Sequence, residues 1–250
     1  MTQLVEVAPR VRNVERSVDE RSGFDVRSLV TQVGLVGAAI AAYFTARGFT
    51  EADPSRALKH AQAVIDFEQR HHLHDELALQ KLVLGHGRVI DALNWIYIWG
   101  HWPVIVAVLV WLLRTHPEPY RLLRNAIFIS GAIGIVVFVF YPVAPPRLAG
   151  IGLVDTVTTQ SHAYRVLQPP AFVNQYAAIP SLHVGWDLLV GIFVFRYARH
   201  RVTRVLGALT PVAMTTAVVL TANHFVIDAM LGALVALVGL GSAVLLRRYT

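Results

Sequence analysis

Ile179-Pro-Ser-Leu-His-Val-Gly-Trp-Asp187 is the junction where a long polar loop runs into an apolar helix and leaves a histidine in its first turn. Pro180 suits a first turn, because its missing N–H has no intrahelical partner to lose, and Ser181 beside it can accept from a free amide of the same turn. Those amides and the positive end of the helix dipole favour an anion close to His183. Further on, Asn223-His-Phe-Val-Ile-Asp228 supplies a second His-x-x-x-Asp at the start of the last apolar helix. The two stretches read as one site.

Around that site the 250-residue chain is 55% hydrophobic and 15% charged, with a mean hydropathy of +0.51. This is more apolar than a soluble domain, and the class is membrane protein. The absence of cysteine removes disulfides, thiolate nucleophiles, iron–sulfur clusters and Cys-ligated zinc. The net charge of +6 is not carried by a basic run interleaved with aromatics, so no nucleic-acid partner is expected. Arginines cluster beside apolar segments, as they do at a cytoplasmic membrane surface.

The apolar blocks 29–46, 89–113, 125–141, 182–198, 205–221 and 225–246 predict six transmembrane helices, the first uncharged and long enough to cross about 30 Å of hydrocarbon if little tilted. The expected fold is therefore an all-α polytopic membrane protein. Residues 1–28, with Arg10, Arg12, Arg16, Arg21 and Arg27, form a cytoplasmic arm, and 29–250 is a single transmembrane catalytic domain. Residues 47–88 are too charged to span. Ala57, Leu58, Ala61 and Ile65, then Leu77, Leu79 and Leu82, recur at helical spacing, which predicts one or two amphipathic helices at the interface. The run His71-His72-Leu73-His74-Asp75 has metal-binding residue types, but adjacent residues point to different sides of a helix. It reads as a solvated segment, and no metal or cofactor is expected.

In the second span, Asn94, Trp95, Tyr97, Trp99, His101 and Trp102 either line a substrate pocket or form an aromatic belt around a hydrogen-bonded core histidine. Residues 142–180 form a long active-site loop opening with Pro142-Val-Ala-Pro-Pro-Arg147. Six spans put both termini on one side, with the arginine-dense segments 114–124 and 196–204, and that side is cytoplasmic. Spans four and six then run in the same direction. His183 and His224 emerge on the opposite, extracellular or periplasmic face, where Arg147 also enters. Two titratable groups and one permanent cation, all suited to a phosphate, converge from topology alone.

Asp228 lies four residues after His224, on the same helix face, where it can accept from one imidazole nitrogen and leave the other as nucleophile or base. Asp187 stands in the same relation to His183. It can raise that histidine's basicity as an acid catalyst needs, bind a substrate hydroxyl, or accept from a neighbouring helix.

Pro180-Ser181-Leu182-His183 followed by His224-x-x-x-Asp228 on a six-span chain resembles the type-2 phosphatidate phosphatase superfamily of integral membrane lipid phosphatases. Leu182, where the phosphatases usually carry Gly, and the Ala-Pro-Pro-Arg loop look more like the branch containing inositol phosphorylceramide synthases. The resemblance covers roughly residues 90–246 and leaves the arm and 47–88 outside. It implies that His224 attacks phosphorus to form a phosphohistidine, that Asp228 orients it, and that His183 protonates the leaving group and then deprotonates the acceptor. No metal is required in that scheme.

Two family motifs are altered. The usual Lys-x6-Arg-Pro is not intact, and Ala217-Val218 stand where Ser-Arg is expected. Arg147, joined by Arg165, is the inferred replacement clamp, the alternative for Arg147 being a headgroup contact at the interface. Ser181, Asn174 and Tyr176 flank the motif and are read, with Asp187 and His101, as substrate-binding residues. Asn174 and Tyr176 serve equally well as ordinary loop caps.

The expected activity is hydrolysis of a lipid phosphate or diphosphate. Transfer of a phosphoryl headgroup to a lipid or polyol alcohol is the close alternative, because the same two histidines serve both fates. A metal-binding transporter built on the two His-x-x-x-Asp pairs is the competing class. Oligomeric state is not written in these motifs.

Overall fold

In a computed structural model the described residues are 26–48, 53–73, 76–157 and 175–247, and among them the chain is helical, without strands. It divides into two units, Met1–Ala38 and Ala39–Thr250; helix α1 (Val26–Gly48) starts in the first and contains the predicted first span. The predicted arm lies mostly outside the described residues. Both His-x-x-x-Asp pairs and Arg147 belong to the second unit.

Helix α2 (Pro54–Arg70) opens on a short polar cap: Asp53 accepts from the Ser55 amide at 2.9 Å, and Pro54 occupies the first helical position. Ala57, Ala61, Val64, Ile65 and Glu68 make its buried stripe, at the spacing of a single helix face. After α3 (Glu76–Val83) come α4 (Gly87–Trp99) and α5 (Trp102–Thr115). These last two replace the single second span expected at 89–113. The helix breaks at Gly100–His101 and bends by 45°, because Pro103 has no N–H to donate and its ring collides with the preceding turn.

Helix α6 (Pro117–Phe140) begins well before the apolar block at 125, absorbing the expected basic loop. Pro117 starts it, Tyr120 and Leu123 are buried, and Arg121 lies on its outer face paired with Glu118. Helices α7 (Leu182–Tyr197), α8 (Arg201–Leu220) and α9 (Val226–Arg247) complete the bundle. Helix α7 is apolar nearly all round, as a core helix should be, and packs against α6, α8 and α9.

The outer surface identifies the solvent. Along α9 the buried stripe is Gly232, Ala236, Gly239 and Ala243, whereas Met230, Leu234, Leu237, Val238 and Leu245 are exposed. On α8, Val202, Val205, Leu206, Leu209 and Val212 are likewise exposed. Small residues inside and large apolar residues outside is the pattern of helices packed in lipid. The protein is an all-α polytopic membrane protein. Among the described residues three helices, α6, α8 and α9, are long and apolar enough to cross a bilayer, and there are four if the bent pair α4 and α5 counts as one span. The expected fourth span is the 16-residue α7, only about 24 Å long at 1.5 Å per residue.

Candidate active site

The two histidines are brought together by a close helix crossing. Ser181 donates its amide to the Asp228 carbonyl at 3.0 Å, tying the start of α7 to the first turn of α9. A Cβ on Gly232 would overlap the Ser181 carbonyl, and one on Gly185 would overlap the Gly232 carbonyl, so both positions need glycine for space. The ring centroids of His183 and His224 lie 5.9 Å apart.

His224 sits in the turn before α9, 6% exposed. Its Nδ1 is 2.9 Å from the Ala178 carbonyl and 3.3 Å from Asp228 Oδ2. A carbonyl can only accept, so Nδ1 carries the proton and, in the neutral ring, Nε2 keeps its lone pair. Burial pushes the His224 pKa down to about 3; the Ala178 bond opposes this, and the nearby Arg147 cation adds to it. At neutral pH the ring is uncharged. The loop carrying Ala178 is held in place by Val143, whose amide donates to the Tyr176 carbonyl at 2.7 Å and whose carbonyl accepts from Ala178 at 3.3 Å.

Arg147 follows the Pro145-Pro146 turn and is pinned in three ways. Its backbone amide donates to the Ala222 carbonyl at 3.0 Å, its guanidinium donates to Asn223 Oδ1 at 2.6 Å, and Asp155 lies 3.2 Å from Nε. Asn223 is itself oriented by a 2.7 Å bond to Thr221 Oγ1. The cation is thus held beside the nucleophile candidate with its side chain only 7% exposed.

Around His183, Tyr97 lies at 4.7 Å and His101 at 4.4 Å between ring centroids. Asp187 does not bond His183, its neighbour one turn back. Its Oδ1 accepts from His101 Nδ1 at 2.9 Å, with both side chains buried, and His101 stacks on Trp186 at 5.8 Å. Asp187 thus takes a partner from the neighbouring helix, because the break at Gly100 carries His101 over the start of α7.

Other predicted positions fall differently. Ser181 Oγ caps α7, accepting from Val184 at 3.4 Å, and Pro180 precedes this cap instead of lying in the first turn. Tyr176 is half-buried at the loop end, in the apolar cluster that includes Ala57 and Phe225. Arg165 and Asn174 lie outside the described residues, as do His74 and Asp75 of the histidine run. His71 caps the end of α2 and stacks on Phe67 at 4.1 Å.

Sequence reasoning passed over Glu68, Glu76, Gln80, Asn223 and Asp155. Within the predicted interfacial segment 47–88, described residues of α2 and α3 also bond to loops near the site. Arg56 donates to the Phe140 carbonyl at 2.7 Å, His60 Nδ1 meets the Pro142 carbonyl at 2.7 Å, and Gln80 bonds both the amide and the carbonyl of Val154 at 2.8 Å. The signal was present: Glu68 continues the Ala57-Ala61-Ile65 stripe and so puts a carboxylate on an apolar face.

An all-α membrane protein with two histidines, an aspartate and a pinned arginine at one close helix crossing belongs to a class fitted to phosphoryl chemistry. The PAP2 superfamily matches residues 62–242, and the chain belongs to it. The match begins inside α2, so it takes in most of that helix and all of α3, which the motifs alone had left outside. No curated protein and no solved structure matches the chain. Membership supports a fold of the phosphatase and phosphotransferase type, and with it an enzyme.

Proposed function

We propose that the protein hydrolyses a lipid phosphate or diphosphate through a phosphohistidine on His224. The observation that carries this is the His224 ring: Nδ1–H is committed to the Ala178 carbonyl and Asp228, so a neutral ring presents Nε2 as the nucleophile. In the first step Nε2 forms a bond to phosphorus as the bond to the leaving oxygen breaks, and protonated His183 gives its proton to that oxygen. In the second, water gives a proton to His183 and attacks phosphorus, releasing phosphate and restoring His224. Arg147 and the N-terminal end of α7 meet the charge on the non-bridging oxygens. An alcohol in place of water turns the same steps into a transferase.

The test is phosphate release by purified protein from phosphatidate, polyprenyl phosphate and polyprenyl diphosphate in excess chelator. Release by wild type and none by the His224 and His183 variants supports the hydrolase. A phosphodiester formed only when a polyol or lipid alcohol is added replaces it with the transferase, and activity that vanishes with chelator replaces both with metal chemistry.

The Asp187–His101 pair serves this reaction by fixing the ring against which His183 packs. Asp187→Asn is expected to lower kcat by up to about 10²-fold, the lower end of what acid–base catalysis contributes, with KM little changed. A purely substrate-binding Asp187 would instead raise KM, and the two constants measured together separate the roles.

The topology proposed with this function has six spans, both termini cytoplasmic and the site on the outer face. The chain has no cysteine, so single reporters are unambiguous. Ala149→Cys is expected to react with an impermeant maleimide in intact cells and Arg201→Cys only after lysis; the reverse pattern inverts the orientation.

A further inference from the structure

The first three amides of the turn after His224 each end on a carboxyl group from a different place in the chain. Phe225 donates to Asp228 Oδ2 at 2.9 Å, Val226 to Glu76 Oε1 at 3.1 Å, and Ile227 to Glu68 Oε1 at 2.8 Å. Glu68 comes from α2 and Glu76 from α3, and both are completely buried. The Glu76 carboxyl stands close enough to that of Glu68 to disfavour its ionisation. Burial and this neighbour favour the protonated form of Glu68, which has a hydrogen to give to Glu76.

We propose that Glu68 and Glu76, sharing one proton, are positioning residues that close the N-terminus of α9 and thereby set the attitude of the His224 ring toward the phosphoryl group. The proposal rests on His224 being the nucleophile. The link is short and covalent: Phe225, completely buried against Ala57, Ala61 and Ile65 of α2, joins His224 to the capped amides. Tilting that turn moves Nδ1 off the Ala178 carbonyl. Filling the end of α9 with protein carboxyls also keeps substrate phosphate from binding there, and directs it to α7 and Arg147.

Sharing a proton makes the cap sensitive to alkali. The titratable and charged groups gathered at this end of α9 are Glu76, Asp228, His224 and Arg147. Burial first, then the bond to Glu76, then the charges of Glu76 and Asp228, push the Glu68 carboxyl up to about 9; its bond from Ile227 acts the other way. A folded pKa above the unfolded one means stability that is complete below the unfolded value near 4.5 and is lost as pH rises toward 9. Once the proton leaves, two adjacent anions are left buried beside Asp228.

Glutamine at 68 can still accept from Ile227 and can donate to Glu76 without titrating. In the full-length protein in detergent, Glu68→Ala is expected to speed amide exchange at Val226 and Ile227 by at least about tenfold and to lower kcat by a similar factor with KM little changed. Glu68→Gln is expected to keep those amides protected, retain most of kcat at pH 7, and lack the alkaline fall in kcat near pH 9 that is expected of wild type. Its melting temperature relative to wild type should rise steadily between pH 5 and 9.

A substrate-free readout, the slowly exchanging Nδ1–H of His224 in 15N-histidine-labelled protein, should survive in Glu68→Gln and disappear in Glu68→Ala. Wild-type protection and a wild-type Nδ1–H signal in Glu68→Ala would overturn the proposal, as would a Glu68→Gln variant that keeps the alkaline fall. If Glu68→Ala does not fold, the pH profile of Glu68→Gln decides. If wild type turns over no phosphate while the amide and Nδ1–H results come out as expected, the cap stands and the phosphatase reading fails separately.

Discussion

His224→Gln is expected to lower phosphate release on the order of 10⁴-fold or more while leaving the protein folded, since removal of a covalent nucleophile costs far more than removal of a binding contact. Glutamine can still donate an N–H toward the Ala178 carbonyl, the 2.9 Å bond that holds this turn against the loop. What it lacks is a lone pair on nitrogen that can attack phosphorus. His183→Gln should look equally inactive on a lipid phosphate, whose alkoxide leaving group needs a proton. With p-nitrophenyl phosphate, whose leaving group needs none, the first turnover of His183→Gln should recover and that of His224→Gln should not. A burst of nitrophenol from His224→Gln would move the nucleophile elsewhere.

The second large effect is structural. Gly232→Ala places a methyl group against the carbonyl carbon and oxygen of Ser181, and neither atom can swing aside as a side-chain tip can. The expected cost is about 3 kcal/mol or more, at or above the upper end for overpacked cores. Residual folded protein should also be slow, because forcing α7 and α9 apart widens the 5.9 Å separation of the histidine rings. Gly241→Ala is the control on the same helix, with nothing within 4 Å of its added Cβ, and it should be neutral or slightly stabilising, since alanine is the better helix former. Equal melting temperatures for the two variants in detergent would show that the crossing is not tight.

The Gly232 position also shows what separates the legible from the hidden. Apolar block lengths and composition gave the all-α membrane class, because in lipid a helix satisfies its own backbone and need consult no partner. The His-x-x-x-Asp pairs announced themselves because ionisable groups beside apolar spans are costly to keep. The His224–Asp228 contact has the spacing expected from the sequence, although His224 lies in the turn before α9 and only Asp228 is on the helix. Asp187 has the same spacing from His183 and took a different partner. Periodicity brings two side chains to one face and leaves the choice between them to whatever packs against that face, here His101, delivered by a bend at Gly100.

Local sequence therefore determined the membrane class, the start of α7 within a residue or two, and the motif residues of the candidate site, since each depends on interactions within a few residues of the chain. Only the tertiary structure decided that Arg147 is pinned by Asp155 and Asn223, that Asp187 belongs to His101, and that α2 and α3 supply Glu68 and Glu76 to the end of α9. Those choices rest on contacts between residues as many as 159 positions apart. Their geometry is set by how closely the helices approach, and no repeat or spacing in the chain encodes that distance.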